Sequence, residues 1–138
     1  MSEFKYFYPI EVRYGDLDPQ GHVNNAKYLT YMEQARVGYL RHLGLWNGGS
    51  FLNIGIILAD LQITFREPIL FEHPIRVGVR TTRLGNKSFD VSHSIENSQD
   101  GIIFATCKIV LVAYDYNSSK TIPIPAPWRE ILTTFEGL

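Results

Sequence analysis

The sequence predicts an α+β fold in which a five-stranded antiparallel sheet packs against one long helix. One segment has apolar residues at helical spacing, whereas several others alternate with the two-residue period of strands. The predicted order is strand, helix and four further strands, with a short C-terminal helix possible. A sheet that wraps one helix leaves open edges, and joining two such sheets covers them. We therefore expect an oligomer.

The first strand and the long helix occupy the first third of the chain. Aromatic and β-branched residues indicate a strand over residues 4–14, which Gly15 ends. From Ala26 a helical period continues for about five turns. The predicted buried face of this helix carries Leu29, Met32, Arg36, Leu40 and Leu43. Asn24 or Asn25 is the natural N-cap, and Gly44 lies where a left-handed residue ends a helix.

The rest of the chain predicts four strands joined by turns. Residues 54–66 alternate, and one face of this strand carries Ile57, Ala59, Leu61, Ile63 and Phe65. Further strands are expected over residues 73–84, 88–96 and 102–114, with turns at 85–86 and 99–101. The last of them is apolar on both faces, which is typical of a central strand. The proline-rich residues 122–127 end the sheet, and residues 128–135 fit a short helix.

Composition and charge limit the class of protein. The 138 residues suit one domain, spanning 1–138. Thirteen basic against fourteen acidic residues argue against a general nucleic-acid binder, which needs an excess of Lys and Arg. The single cysteine, Cys107, excludes an internal disulfide framework and a multi-cysteine zinc site, and it fits a reducing cytosol. No apolar run approaches the ~20 residues of a spanning helix, so we expect a soluble cytoplasmic protein.

The densest set of reactive side chains lies immediately before the long helix. The first amides of a helix, near Asn25, lack intrahelical partners and carry partial positive charge, so they can stabilise an oxyanion. A carboxylate a few residues earlier, Asp18, is placed to attack a carbonyl or to activate water. His22 lies on the same turn, where it can orient that carboxylate or the water. The same residue types also form ordinary turns and caps, so the spacing alone leaves both interpretations open.

Four segments together resemble the 4-hydroxybenzoyl-CoA thioesterase family of hotdog proteins. They are Tyr14-Gly15-Asp16-x-Asp18-Pro19-x-Gly21, Tyr28-x-x-Tyr31-x-Glu33-x-Ala35-Arg36, Thr64-Phe65-Arg66-Glu67-Pro68 and Arg83-Leu84-Gly85-Asn86-Lys87-Ser88-Phe89. The resemblance covers nearly the whole chain. It implies a hotdog fold and acyl-CoA thioester hydrolysis without a metal or an organic cofactor. It also implies a homodimer or homotetramer whose active sites are shared between subunits.

The resemblance also assigns roles to particular residues. Asp18 matches the family's catalytic aspartate, which acts as nucleophile or general base. Asn25 lies at the helix start, where a backbone amide binds the thioester oxygen. Because coenzyme A carries phosphates, a site for it needs cations, and Arg83 and Lys87 beside the hairpin turn are the candidates. The acyl group is expected between the long helix and a partner subunit.

Three alternatives share these features. The run His22-Val23-Asn24-Asn25 also resembles plant acyl-ACP thioesterases, although Gln20 stands where those have an asparagine. Hotdog hydratases pair an Asp with a His five residues later, whereas Asp16 and His22 are six apart. A binding module could keep the fold and hold an acyl thioester without turnover. Release of thiol, and from which carrier, separates these alternatives.

Overall fold

The computed structural model describes residues 3–50 and 55–138. Its elements are β1 (Phe7–Ile10), α1 (Asn25–His42), β2 (Ile56–Phe65), β3 (Ile75–Leu84), β4 (Ser88–Asn97), β5 (Ile103–Asp115), β6 (Lys120–Thr121) and α2 (Ala126–Glu136). A 3₁₀ turn, Tyr14–Asp16, lies between β1 and α1. The predicted α+β architecture and element order are confirmed. The sequence missed β6, because two polar residues carry no alternation.

The sheet is antiparallel throughout, in the order β1-β3-β4-β5-β2. β6 pairs with β5 at Tyr114 and Asp115, just beyond the start of β2, where Ile56 pairs with Ala113. Helix α1 packs mainly on β1, β3 and β4. The inner face of β2, at the sheet edge, is therefore less closely covered by α1, which reaches Phe65 through the ring of Tyr28.

Helix α1 begins and ends as its sequence predicts. The Asn24 side chain accepts a hydrogen bond from the Ala26 N–H, which makes Asn24 the N-cap. Gly44 follows with a φ of 75°, in the left-handed region that favours glycine. The buried residues of α1 are Tyr28, Tyr31, Met32, Ala35, Tyr39 and Leu40. The placement of Leu29 on the buried face was wrong, because this side chain is 40% exposed.

The predicted faces of β2 are wrong over its first half. The pairing with β5 shifts between Leu58 and Asp60, so that Ala59 is an extra, bulged residue. A bulge reverses the faces on one side of it. Leu61, Ile63 and Phe65 lie on the inner face as expected, whereas Ile56 and Leu58 replace Ile57 and Ala59 there, opposite Ala113 and Leu111. Ile54, the predicted first residue of the strand, lies outside the described residues.

The first strand is shorter than predicted, and the last helix is longer. Pairing of β1 with β3 ends at Ile10 opposite Ile75, where β3 itself begins, so the following residues have no strand to pair with. The C-terminal helix, α2, begins after Pro125. Its Glu136 carboxylate accepts hydrogen bonds from Tyr39 Oη at 2.6 Å and from the Thr81 N–H at 2.9 Å, which ties α2 to α1 and β3. Within residues 3–50 and 55–138, no helix combines the length and apolarity needed to cross a membrane.

Candidate active site

A buried carboxylate anchors the loop that leads into α1. Asp16 Oδ2 accepts hydrogen bonds from Tyr31 Oη at 2.7 Å and from the Arg13 N–H at 3.0 Å. Its backbone carbonyl accepts one from the Asn24 N–H at 2.8 Å. Burial alone would raise the pKa of Asp16, but the hydrogen bonds from Tyr31 and Arg13 outweigh it and hold that pKa below its usual value. Asp16 is therefore an ionised anchor for the loop.

Asp18 lies in a tight turn that holds one side of its carboxylate. Asp18 Oδ1 accepts hydrogen bonds from the Gln20 N–H at 2.9 Å and the His22 N–H at 3.2 Å. The Asp18 N–H donates to the His22 carbonyl at 2.8 Å, which closes the turn. Oδ2 has no hydrogen bond to any residue that the structure describes. The carboxylate is thus oriented by the backbone and keeps one oxygen available for chemistry.

The start of α1 presents an unused amide. Asn24 caps the helix with two acceptors: its side chain takes the Ala26 N–H at 2.9 Å, and its carbonyl takes the Lys27 N–H at 2.8 Å. The Asn25 N–H donates to no acceptor in residues 3–50 or 55–138. Because unpaired amides at a helix start carry partial positive charge, this N–H can bind an oxygen that gains negative charge.

A cavity of about 430 Å³ brings the predicted residues together. Asp18, His22 and Asn25 line one side of it, and residues 65–68 at the end of β2 line the other. The motif containing residues 65–68 supported the family resemblance, but no sequence pattern predicted its position beside Asp18. Tyr28 fixes this wall, since its ring packs edge-on against Phe65 with centroids 5.0 Å apart and its Oη donates to the Glu67 carbonyl at 3.3 Å.

The candidate coenzyme A ligands, Arg83 and Lys87, lie elsewhere. Arg83 donates two hydrogen bonds of 3.0 Å to Asp90, and the Lys87 ammonium lies 3.4 Å from Thr121 Oγ1. Their hairpin joins β3 to β4 at the end of the sheet where Ser88 pairs with Val112, whereas the cavity lies where Phe65 pairs with Ala105. Seven residues of β4 separate these ends, which is about 23 Å. Within one chain, therefore, these cations do not reach the cavity.

A second cavity, of about 410 Å³, lies at the other end of the uncovered face of β2. Its apolar wall consists of Val37, Leu40, Ile56, Leu58, Leu111 and Tyr116. Between the two cavities runs the inner row of β2, which continues through Ile63 and Leu61. Leu58 is 47% exposed and Phe65 is 45% exposed, so both ends of this row are open. We call this apolar surface, from Phe65 to Ile56, the α1–β2 groove.

Two other reactive side chains lie in the core. Burial, and after it the charge of Arg36, lower the pKa of His93 to about 3, so the imidazole is neutral. Burial raises the pKa of the Cys107 thiol to about 11, although Arg36 opposes this shift. Neither group is activated as a base or a nucleophile near neutral pH. Among the residues described, no cluster of three or more His, Cys, Asp or Glu could hold a metal ion.

Comparison with known proteins places these features in a family. Residues 12–132 match the family described as the thioesterase-like superfamily. The chain is 28% identical over 123 residues to the long-chain acyl-CoA thioesterase FadM of Escherichia coli, which covers 89% of this chain and 93% of that protein. It is 26% identical over 123 residues to the 1,4-dihydroxy-2-naphthoyl-CoA hydrolase of Thermosynechococcus vestitus, with 87% and 84% covered.

The same likeness holds in three dimensions. A thioesterase from Thermus thermophilus, solved in complex with coenzyme A and zinc, superposes with a TM-score of 0.87 at 33% identity. The superposition covers 100% of this chain and 99% of the other. The expected hotdog fold is thereby confirmed.

Proposed function

The chain belongs to the thioesterase-like superfamily, and from this premise we propose that it hydrolyses an acyl-CoA thioester to a free acid and coenzyme A. The observation that carries the proposal is the meeting of Asp18 and the Asn25 N–H in one cavity. One supplies a negatively charged oxygen, and the other supplies a hydrogen-bond donor for the carbonyl. Relatives named as acyl-CoA hydrolases support the choice of substrate.

The proposed chemistry uses the free oxygen of Asp18. In the water-mediated route, Asp18 takes a proton from water, and the resulting hydroxide adds to the thioester carbonyl. The oxygen of the tetrahedral intermediate faces the Asn25 N–H, which stabilises its negative charge. The C–S bond then breaks, and the sulfur leaves with the proton held by Asp18.

In the alternative route, Asp18 Oδ2 attacks the carbonyl itself and expels the thiolate, and water hydrolyses the resulting anhydride. Asp18 is essential in either route. We assign His22 to orienting the carboxylate or the water, because it lines the cavity and its backbone N–H holds Asp18 Oδ1.

Binding of the coenzyme A moiety involves a second copy of the chain. Strand β2 is at the sheet edge, and no described strand pairs with its outer side. Antiparallel pairing of two β2 strands joins the sheets and brings the start of one β2 close to the end of the other. The hairpin that carries Arg83 and Lys87 lies at the β2-start end, so the partner's hairpin approaches the cavity. Arg83 and Lys87 thus contact the phosphates of a coenzyme A bound to the partner, in a homodimer or a tetramer of such dimers.

The acyl group lies in the α1–β2 groove, which the partner subunit covers. The groove starts at the cavity that holds Asp18 and is lined by the inner apolar residues of β2. Burial of an acyl chain here removes exposed apolar surface such as Leu58 and Phe65 from water.

Release of thiol from a panel of short, long and aromatic acyl-CoAs tests the proposal. Each acyl group is also offered on an acyl carrier protein, so that the two carrier classes are compared directly. Turnover of at least one coenzyme A ester supports the proposal. Turnover of carrier-protein esters alone would identify an acyl-ACP thioesterase, and binding of esters without any thiol release would identify a binding module.

A further inference from the structure

A charged residue, Arg36, lines the second cavity, and no acidic side chain of the described residues lies within ion-pair distance of it. Arg36 is half-buried on α1 and lines this cavity together with Glu33. The ion pairs of the described residues are Arg76–Glu96, Arg80–Glu3 and Arg83–Asp90, so Arg36 has none within 4.0 Å. The structure gives its guanidinium one contact, a distance of 3.5 Å from Nη1 to His93 Nε2.

That contact provides an acceptor for only one of the N–H donors of the guanidinium. Arg carries five N–H donors, and a buried charge is costly unless it is paired or hydrogen-bonded. His93 is a neutral acceptor at the limit of hydrogen-bond length. Burial lowers the pKa of Arg36, although the nearby charge of Glu33 opposes this shift. Arg36 therefore keeps unfilled donors beside a cavity whose other lining residues, apart from Glu33, are largely apolar.

The occupant of this cavity must suit both its walls and its charge. The walls are aliphatic and aromatic, so the body of the occupant is apolar. Arg36 requires an oxygen acceptor, and Glu33, which is exposed at the same cavity, can accept a hydrogen bond from a hydroxyl group. A full carboxylate fits less well, because Glu33 would repel it. An apolar chain that carries a neutral oxygen fits both residues.

The length of the groove sets where along the chain this oxygen lies. Asn25 and Arg36 are eleven residues apart on α1, or about 16 Å along its axis. Long side chains on a helix lean back towards its N-terminus by up to about one turn, so the guanidinium is about 11–16 Å from the thioester site. An extended chain advances about 1.2 Å per bond, which places the oxygen roughly nine to thirteen bonds from the carbonyl carbon.

We propose that Arg36, with Glu33 beside it, forms a polar subsite for a hydroxyl or keto oxygen on the distal part of a medium-length acyl chain. This inference rests on the proposed acyl-CoA hydrolysis and narrows its substrate class to oxygenated acyl groups. Arg36 acts as a specificity-determining residue here, since it lies far from the reacting carbonyl.

The test compares two esters of equal chain length, dodecanoyl-CoA and ω-hydroxydodecanoyl-CoA. The native protein is expected to favour the hydroxylated ester in kcat/KM by about tenfold or more, the range of a hydrogen bond to a charged group. Arg36→Met should reverse this preference, because the hydroxyl group then loses its donor and is buried against mainly apolar walls. Arg41→Met is the matched control, since Arg41 lies on the same helix but over the ring of Trp46, outside the cavity. It should keep the native ratio.

An unchanged ratio in Arg36→Met would overturn the inference while leaving thioester hydrolysis intact. A higher kcat/KM for an ω-carboxylated ester than for the hydroxylated one would overturn the assignment of a neutral oxygen. Arg36→Lys, which keeps the charge and loses the planar fork, serves if the methionine variant does not fold.

Equilibrium binding of the free acids separates this inference from the proposed function. ω-Hydroxydodecanoic acid should bind more tightly than dodecanoic acid to the native protein, and this difference should shrink in Arg36→Lys. If the native protein binds the hydroxylated acid more tightly but releases no thiol from any ester, the proposed hydrolysis is refuted and the subsite is retained. Equal binding of the two acids by the native protein would refute the subsite.

Discussion

The hydrogen bond from Tyr31 to Asp16 is expected to stabilise the loop that carries the candidate active site. Both groups are buried, and Tyr31 Oη lies 2.7 Å from Asp16 Oδ2. Tyr31→Phe removes this donor and keeps the ring, so Asp16 retains only the Arg13 N–H at its carboxylate. Hydrogen bonds to charged groups contribute about 1.5–3 kcal/mol, so we expect a loss of about 2 kcal/mol at pH 7. For 138 residues, an unfolding entropy of about 2.1 cal/mol/K per residue converts this to about 7 °C in Tm.

The pH dependence of this loss follows from the pKa of Asp16. That pKa is lowered in the folded protein, so the ionised carboxylate contributes stability above its unfolded pKa and loses this contribution as pH falls through the folded value. Once Asp16 is protonated, Tyr31 donates to a neutral group, and the difference between the native protein and Tyr31→Phe should shrink below about 1 kcal/mol. The difference therefore narrows as the pH falls below about 4.

Urea denaturation of both proteins across this pH range measures the effect. Tyr14→Phe is the matched control, because Tyr14 lies in the same loop and is 82% exposed. It should change the free energy of unfolding by less than about 0.5 kcal/mol. Equal stability of Tyr31→Phe and the native protein at pH 7, or a difference that does not change with pH, would refute this reasoning.

Three further predictions concern separate parts of the chain. Gly55→Ala should lower the free energy of unfolding by more than about 2 kcal/mol, because φ is 60° there and a Cβ would collide with the Tyr114 carbonyl. Gly101→Ala is the control, since Gly101 has a φ of 78° in open space and the change should cost about 1 kcal/mol. Equal losses of the two variants in urea denaturation would contradict this prediction. Burial raises the pKa of Cys107 to about 11, so the thiol should react with iodoacetamide at pH 8 roughly 10²-fold more slowly in the folded than in the unfolded protein. Comparable rates in the two states would show that the thiol is accessible. Lys87→Ala should raise KM for an acyl-CoA about two- to fivefold and leave KM for the matching acyl-pantetheine, which lacks the nucleotide phosphates, unchanged. Equal effects on both esters would show that Lys87 does not bind the phosphates.

The grouping of three candidate residues around one cavity was predictable from the sequence. Asp18, His22 and Asn25 lie within eight residues of one another, so a single turn and a helix cap bring them together. The Asn24 N-cap and the left-handed conformation of Gly44 were likewise predicted from adjacent residues in the chain. Wherever the signal depends on neighbours in the chain, turn and capping chemistry is enough to place the residues.

Features that depend on strand pairing were not predictable from the pattern. The bulge at Ala59 reverses two positions of β2, although the sequence alternates regularly through it. The approach of residues 65–68 to Asp18, and the distance of Arg83 and Lys87 from it, follow from which strands are neighbours in the sheet. Hydropathy alternation shows which side of a strand is buried but carries no information about the partner strand.

The proposed catalytic role of Asp18 is tested most directly by thiol release from the best acyl-CoA substrate in Asp18→Asn. Asparagine keeps the shape and can still accept the hydrogen bonds of the Gln20 and His22 N–H groups, but it loses the negative charge. Asp100→Asn is the control, because Asp100 also accepts a backbone N–H, from Ile102 at 2.9 Å, in a turn outside the cavity. A loss of kcat/KM of about 10²-fold or more in Asp18→Asn, with native activity in Asp100→Asn, is the expected result. Equal activity of Asp18→Asn and the native protein would contradict the account, since the attacking or activating group would then lie elsewhere.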